Sequence, residues 1–171
     1  DLVLPVADRL SRGGRAFRLI DMKGLYKSQE EIETLTSDSL PLNYDDDPVL
    51  LFGRLYRGKI DDFIDTEKVR KTLEASQGEL VIIYGLGSAS DTLRSYVDAI
   101  AYIDVTPKVT AIRAREKRFV NIGDREGRPF SLLMRRNYYV DFEVAVRLRK
   151  QLLQENRIDL YILGSDEKNH V

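Results

Sequence analysis

A run of consecutive apolar residues, Leu80-Val81-Ile82-Ile83, stops at the turn Tyr84-Gly85-Leu86-Gly87-Ser88-Ala89. A stretch that is apolar at every position, rather than alternating, is what a strand buried on both faces requires. The two glycines admit a tight turn or a close backbone approach. A second run over 99–105 ends at Thr106-Pro107, a cap residue followed by proline at the first helical position. The helix begun there carries Arg113, Arg115, Lys117 and Arg118 in or just beyond its last turns. Strand, glycine turn, strand, helix and arginine cluster is the order in which many phosphate-handling α/β proteins are built.

Three further apolar runs, at 17–21, 49–52 and 158–163, read as strands. Helices are predicted over 29–36, 66–75, 130–136 and 138–154, the first opened by Ser28 with Glu31 three residues on, a capping-box pattern. In the last of them Tyr139, Phe142, Val146 and Leu153 form an apolar stripe, read as core packing. Apolar runs that alternate with helices, without a tandem repeat, predict an α/β fold with one doubly wound, mainly parallel sheet in a three-layer architecture. Ligands of such sheets bind at the carboxyl ends of the strands. The strand ends at Gly53, Tyr84 and Val105 are therefore expected to open towards a common edge.

Composition bounds the function. A chain of 171 residues, 43% hydrophobic and 32% charged, is expected to form a single domain over residues 1–171. It has no apolar run near the roughly 18 residues of a membrane-spanning helix, so no membrane partner is expected. The absence of cysteine excludes thiol catalysis and fits a reducing, cytoplasmic setting. A net charge of -1 argues against a nucleic-acid partner. The one histidine, His170, excludes a Ser-His-Asp triad or a histidine zinc site within the chain. Asp45-Asp46-Asp47 is read as a solvated loop, because consecutive side chains rarely converge on one cation, and no metal is expected.

Charge is unevenly spread. Residues 28–53 hold seven acidic side chains and no basic one, whereas residues 113–136 hold eight basic against three acidic. Such a dipole favours a small anionic ligand at the basic end. The expected anion site pairs backbone N–H groups of Gly85, Gly87 and Ser88 with the guanidinium groups of Arg115 and Arg118. Those two arginines are three apart and share a helix face, whereas Arg113 and Arg115 diverge by about 200°. Arg113 is accordingly assigned to a structural ion pair. Arg125, Arg128, Arg135 and Arg136 are candidates for a lid over phosphate. Two other patterns are incomplete. Gly53-Arg54-Leu55-Tyr56-Arg57-Gly58-Lys59-Ile60 matches the phosphate loop G-x-x-x-x-G-K-[ST] except at the last position, where Ile60 lacks the hydroxyl that would hold Mg²⁺. The glycine turn partly matches a dinucleotide fingerprint, with Asp104 as the one acidic candidate on the next strand.

The segments FGRLYRGKIDDFID, LVIIYGLGSA, AIAYIDVTPKVTAIRAREKR and RRNYYVDFEVAVRLRKQLL resemble the nucleoside-kinase-like domain of bacterial class I mannose-6-phosphate isomerase-type proteins, over residues 20 to 165. The resemblance implies a phosphate-loop-kinase-like domain with a degenerate loop, joined in the parent protein to a cupin-type isomerase domain. That domain binds zinc through histidines and carboxylates, so the isomerase metal site is not expected in this chain. The implied role is an accessory domain in carbohydrate metabolism without catalysis or a cofactor of its own. The alternative is a phosphotransferase that uses ATP and Mg²⁺ on a small hydroxyl compound.

Overall fold

The computed structural model describes residues 3–14, 16–40 and 52–164. The expected strand at 49–51, the aspartates Asp45 to Asp47 and His170 lie outside the described residues.

Helix α1 (Val3–Arg12) precedes strand β1 (Phe17–Asp21), and helix α2 (Gln29–Thr36) follows. The start of α2 is dictated locally. Ser28 Oγ accepts from the Glu31 N–H while the Glu31 carboxylate accepts from the Ser28 N–H at 2.8 Å, so two amide groups without helical partners are satisfied reciprocally. Helix α3 (Thr66–Glu74) begins one residue earlier in its capping than the sequence suggests. Asp65, not Thr66, is the cap, its carboxylate accepting from the N–H groups of Glu67 and Lys68. Strand β2 (Leu80–Tyr84) pairs parallel with β1 in the register Phe17↔Leu80 to Asp21↔Tyr84.

Strand β3 (Ala101–Asp104) leads through Thr106 into helix α4 (Pro107–Arg115). Helix α5 (Phe130–Arg136) runs through a π-helical turn, Asn137–Asp141, into helix α6 (Phe142–Gln154). Strand β4 (Leu160–Leu163) then pairs parallel with β3. The architecture is thus mixed α/β, with both strand pairs parallel and one isolated antiparallel bridge between Tyr26 and Ile64.

One expectation is corrected here. The described strands form two separate two-stranded sheets, β1-β2 and β3-β4, rather than one doubly wound sheet. Nor is β2 buried on both faces as its apolar run predicts, since Leu80 is 45% exposed and the other four residues are half-buried. An apolar run leaves open both its strand partner and what covers it. Phe52, the one described residue of the expected 49–52 strand, is in irregular backbone.

A single apolar core joins these parts. Ile20 of β1, Ile32 of α2, Val69 of α3, and Phe63 and Ile64 of the segment before α3 meet Val144, Leu148 and Leu152 of α6. The last three recur at i, i+4 and i+8, one face of a helix. This face is not the stripe expected from the sequence. Phe142, Val146 and Leu153 are all exposed, whereas Tyr139 packs against the core. The π turn widens the helix by one residue, which re-phases the faces on either side of it.

The glycine turn after β2 has a packing reason. Gly85 and Gly87 adopt φ of 112° and 89°, conformations that residues with a side chain rarely take. A Cβ on Gly87 would approach Ile60 Cγ1 to 2.9 Å.

Candidate ligand cleft

The carboxyl end of β1, the glycine turn after β2, and the carboxyl end of β3 border one open cleft of about 700 Å³. Asp21, Gly85 and Asp104 lie on its rim, as do Thr106, Pro107 and Thr110 from the first turn of α4. The far wall is α6, through Phe142, Val146 and Arg149. Two of the residues read from sequence as core stripe therefore line a cavity. Of the strand ends expected to converge, Val105 and the Gly85 turn that follows Tyr84 line the cleft, while Gly53 lies elsewhere, against the Tyr139 ring and Ser39.

Each rim element is held in place by a definable contact. Asp21 caps the turn that follows β1, its Oδ1 accepting from the Lys23 N–H at 2.9 Å. The Tyr26 hydroxyl donates to the Leu86 carbonyl at 2.5 Å and so pins the glycine turn. Burial first, then the negative charges of Asp141 and Asp21, push the Tyr26 hydroxyl well above the ordinary tyrosine range, which keeps it a donor. Asp104 accepts from the Tyr161 hydroxyl and lies 3.2 Å from Arg149 Nη2, which itself donates to Tyr161 at 2.7 Å. Tyr102 stacks on Tyr161 with ring centroids 5.7 Å apart. Asp104 is thus occupied by its own fold and is not presented as a ribose acceptor.

The first turn of α4 opens towards the cleft. The Thr106 side chain makes no capping hydrogen bond to the helix, and Pro107 at the first position has no N–H. A helix start of this kind concentrates positive partial charge and amide donors, the usual seat of an anion. Arg113, two turns further along the helix, also lines the cleft.

The expected anion pair is distributed otherwise. Of the five residues expected to form the anion site, only Gly85 lines the cleft. The Ser88 N–H is consumed within the turn, donating to the Gly85 carbonyl at 3.2 Å. Arg115 sits 5.7 Å over the Phe130 ring, and Arg118 pairs with Glu116 at 3.3 Å. The angular argument that separates Arg113 from Arg115 is sound, but the face that meets the cleft is the one carrying Arg113. The lid candidates are tied into the fold as well. Arg128 bridges Asp124 and Glu33, Arg135 donates to the Phe52 carbonyl at 2.7 Å, and Arg136 is buried. These three, with Glu33 and Leu132, border a second cleft of about 350 Å³ between α2 and α5. Arg125 is exposed and lines neither cleft.

The loop resembling a phosphate-binding loop is closed. The N–H groups of Arg54, Tyr56 and Lys59 donate to the Ser39 carbonyl, the Tyr139 carbonyl and Asp62 Oδ2. Arg147 clamps the carbonyls of Tyr56 and Gly58. Tyr56 is buried, stacked on Phe63 at 5.1 Å, and its hydroxyl donates to Asp62. A Cβ on Gly58 would fall 2.1 Å from that carboxylate, so the space a phosphate would need is filled.

Sequence reasoning missed two buried polar residues that line the cleft, Asn121 and Asp141, each 2% exposed. Asn121 Nδ2 donates to Asp141 Oδ2 at 2.7 Å and to the Leu133 carbonyl at 3.1 Å, and the Ile122 N–H adds a bond of 3.3 Å to the same Oδ2. Arg136 Nε stands 3.7 Å from Asp141 Oδ1, close enough to pair in charge but too far to hydrogen-bond. Burial raises the Asp141 carboxyl to about 6, against the opposing pull of Arg136 and of the Asn121 and Ile122 hydrogen bonds. The available signal was Asp141 itself, a carboxylate inside the apolar stretch Tyr138 to Phe142. Among the described residues no three histidine or carboxylate side chains converge where a metal ion would sit, and no helix is long and apolar enough to cross a membrane.

A mixed α/β domain with a ligand-sized cleft at the carboxyl ends of its parallel strands is the class that this fold and site define. Residues 4–171 match the family described as a domain of unknown function, DUF8485, and the chain belongs to that family. Neither the curated proteins nor the solved structures gave a match.

Proposed function

We propose that this chain is an accessory ligand-binding domain that holds a small phosphorylated hydroxyl compound in the cleft between β1, β3 and α6. The observation that carries the reading is the convergence of three strand ends, the first turn of α4 and Arg113 on one cavity. A volume of about 700 Å³ suits a ligand of sugar-phosphate or nucleotide size. The helix start and Arg113 suit its phosphate, the helix through oriented amides and the arginine through forked, charge-assisted donors.

The resemblance to the kinase-like domain of mannose-6-phosphate isomerase-type proteins supports a sugar phosphate as the ligand and a cupin-type isomerase domain as the partner, in the cytoplasm. On that reading the fold is a degenerate relative of the three-layer, doubly wound kinases. The filled Gly53–Lys59 segment supports a binding role over catalysis, because the amides of Arg54, Tyr56 and Lys59 already donate within the fold.

One observation favours the second reading, a phosphotransferase acting on a hydroxyl compound with ATP and Mg²⁺. A buried carboxylate raised to about 6 among the residues that line a cleft is suited to receiving a hydroxyl proton.

Calorimetric titration with hexose 6-phosphates, inorganic phosphate and MgATP separates the two. The binding reading expects saturable binding of a hexose phosphate without turnover. Arg113→Ala should weaken it about tenfold, the typical weight of one charge-assisted contact. Arg115→Ala and Arg118→Ala should leave it unchanged. ADP release in the presence of a polyol would support the phosphotransferase. Failure of every phosphate compound to bind would overturn both readings.

A further inference from the structure

We infer that Arg149 is a second ligand contact on the α6 wall of the cleft, its Nη1 donating to a neutral oxygen, a hydroxyl or carbonyl, on the body of the bound phosphate compound. The inference deepens the binding role proposed above and rests on it.

A guanidinium group spreads its N–H donors over three nitrogens, and in Arg149 two of them are out of a ligand's reach. Nη2 donates to the Tyr161 hydroxyl at 2.7 Å and to Asp104 Oδ2 at 3.2 Å. Nε is sealed from solvent without a hydrogen-bond partner. Nη1 has no partner among the described residues either, but it is not sealed, and the side chain as a whole is 40% exposed. Its direction follows from the helix. Phe142, Val146 and Arg149 stand at i, i+4 and i+7 of α6, one face, and all three line the cleft. Asp104, to which Nη2 is tied, lines it as well. Nη1 is therefore the nitrogen that a ligand in the cleft can meet.

The group is fixed before a ligand arrives. Besides the two Nη2 contacts, its central carbon stands 5.8 Å over the Tyr161 ring, which is stacked on Tyr102. The Tyr161 hydroxyl also donates to Asp104, which closes a three-residue unit across β3, β4 and α6. A long side chain loses rotamer freedom when a ligand orders it, and here the fold has already ordered it. Charge decides what Nη1 reads. The Asp104 carboxylate compensates the guanidinium at contact distance, so a second anion approaching Arg149 would be repelled by Asp104. A neutral oxygen meets no such repulsion and still receives a charge-assisted donor. Phe142 and Val146 supply an apolar flank on which the C–H face of a polyol ring can lie. The cleft is then divided, with phosphate held towards α4 and Arg113 and the oxygen-bearing body held at Arg149.

Calorimetric titrations of the wild type and of Arg149→Gln with inorganic phosphate, propyl phosphate and glucose 6-phosphate read the contact. The first two ligands report the anion end alone, since neither carries a sugar hydroxyl. The wild type is expected to bind glucose 6-phosphate at least about tenfold more tightly than propyl phosphate. Arg149→Gln should remove most of that preference while its affinity for inorganic and propyl phosphate stays unchanged. Tyr161→Phe, which unties Nη2 but keeps the arginine, should lose about threefold for glucose 6-phosphate alone. Should Arg149→Gln not fold, Arg149→Lys, which keeps the charge but not the fork, is expected to show the same loss of preference. A variant that keeps the preference, or a wild type that lacks it, would overturn the contact while leaving the anion end of the cleft intact. An equal loss for all three ligands would also overturn it, by making Arg149 a phosphate contact. If none of the three binds, the phosphate reading fails, and mannitol then decides for Arg149. Mannitol binding that Arg149→Gln abolishes would retain the contact, and no mannitol binding would sink it as well.

Discussion

The Gly53–Ile60 segment and the cleft between β1, β3 and α6 show opposite relations between motif and site. The segment carries nearly every residue of a phosphate loop, yet the amides of Arg54, Tyr56 and Lys59 donate to Ser39, Tyr139 and Asp62, and the Tyr56 ring is buried against Phe63. The cleft carries no complete motif, yet strand ends, a helix start and an arginine face one volume. A phosphate loop works by leaving N–H groups unspent and space for the ligand. Spacing of Gly and Lys in the chain records neither condition. Geometry decides, and it favours the cleft.

The comparison breaks most visibly at Tyr56. If the segment is structural, Tyr56→Ala should destabilise the fold by about 3 kcal/mol, the usual scale for removing a buried aromatic ring. Ligand affinity of the folded fraction should not change. Chemical denaturation followed by calorimetry checks both halves. A stable variant with lost phosphate binding would return the segment to candidacy.

Asp141 supplies the next largest effect, and its sign is fixed. A carboxyl raised to about 6 in the folded state, from an ordinary value near 3.8, binds more protons folded than unfolded between those values. Its favourable contribution is complete at low pH and is lost as pH rises through about 6. Stability of the wild type relative to Asp141→Asn should therefore fall between pH 4 and 6, by on the order of 2 kcal/mol. Urea unfolding of both proteins across that range reads the difference. A difference that is flat with pH would mean that Asp141 is paired well enough to titrate normally.

These two residues also show where the sequence was legible. The capping box at Ser28 and Glu31 and the four described strands could be read directly, because caps and apolar runs are written in adjacent residues. The cleft lies at strand carboxyl ends, the place where ligands of such sheets are expected. Strand pairing could not be read, since Leu80 to Ile83 is equally apolar whichever neighbour it meets. The apolar stripe of α6 was misassigned because a π turn at Asn137–Asp141 shifts the phase without a distinctive residue. Arg113, read from sequence as a structural ion-pair partner, lines the cleft, whereas Arg115 lies over Phe130. The Asn121–Asp141 pair joins a loop to a helix twenty residues away in sequence, and no local pattern announces it.

The smallest effect is expected at Lys59. Its amine pairs with Asp91 at 3.3 Å, and its side chain is 65% exposed. Lys59→Ala should cost less than about 1 kcal/mol, as for other exposed ion pairs. It should leave phosphate affinity untouched, whereas the lysine of a working phosphate loop is indispensable. Thermal unfolding and a phosphate titration sharpen the contrast with Arg113→Ala, which should do the reverse.

The most direct test of the central claim is a nitrogen–proton correlation NMR titration of the wild-type protein with a hexose 6-phosphate. The account predicts saturable shifts at the amides of Gly85, Lys108, Val109, Asn121 and Ile122, with those of Arg54 to Lys59 stationary. Saturable shifts confined to Arg54 to Lys59, with the amides around the cleft stationary, would contradict it.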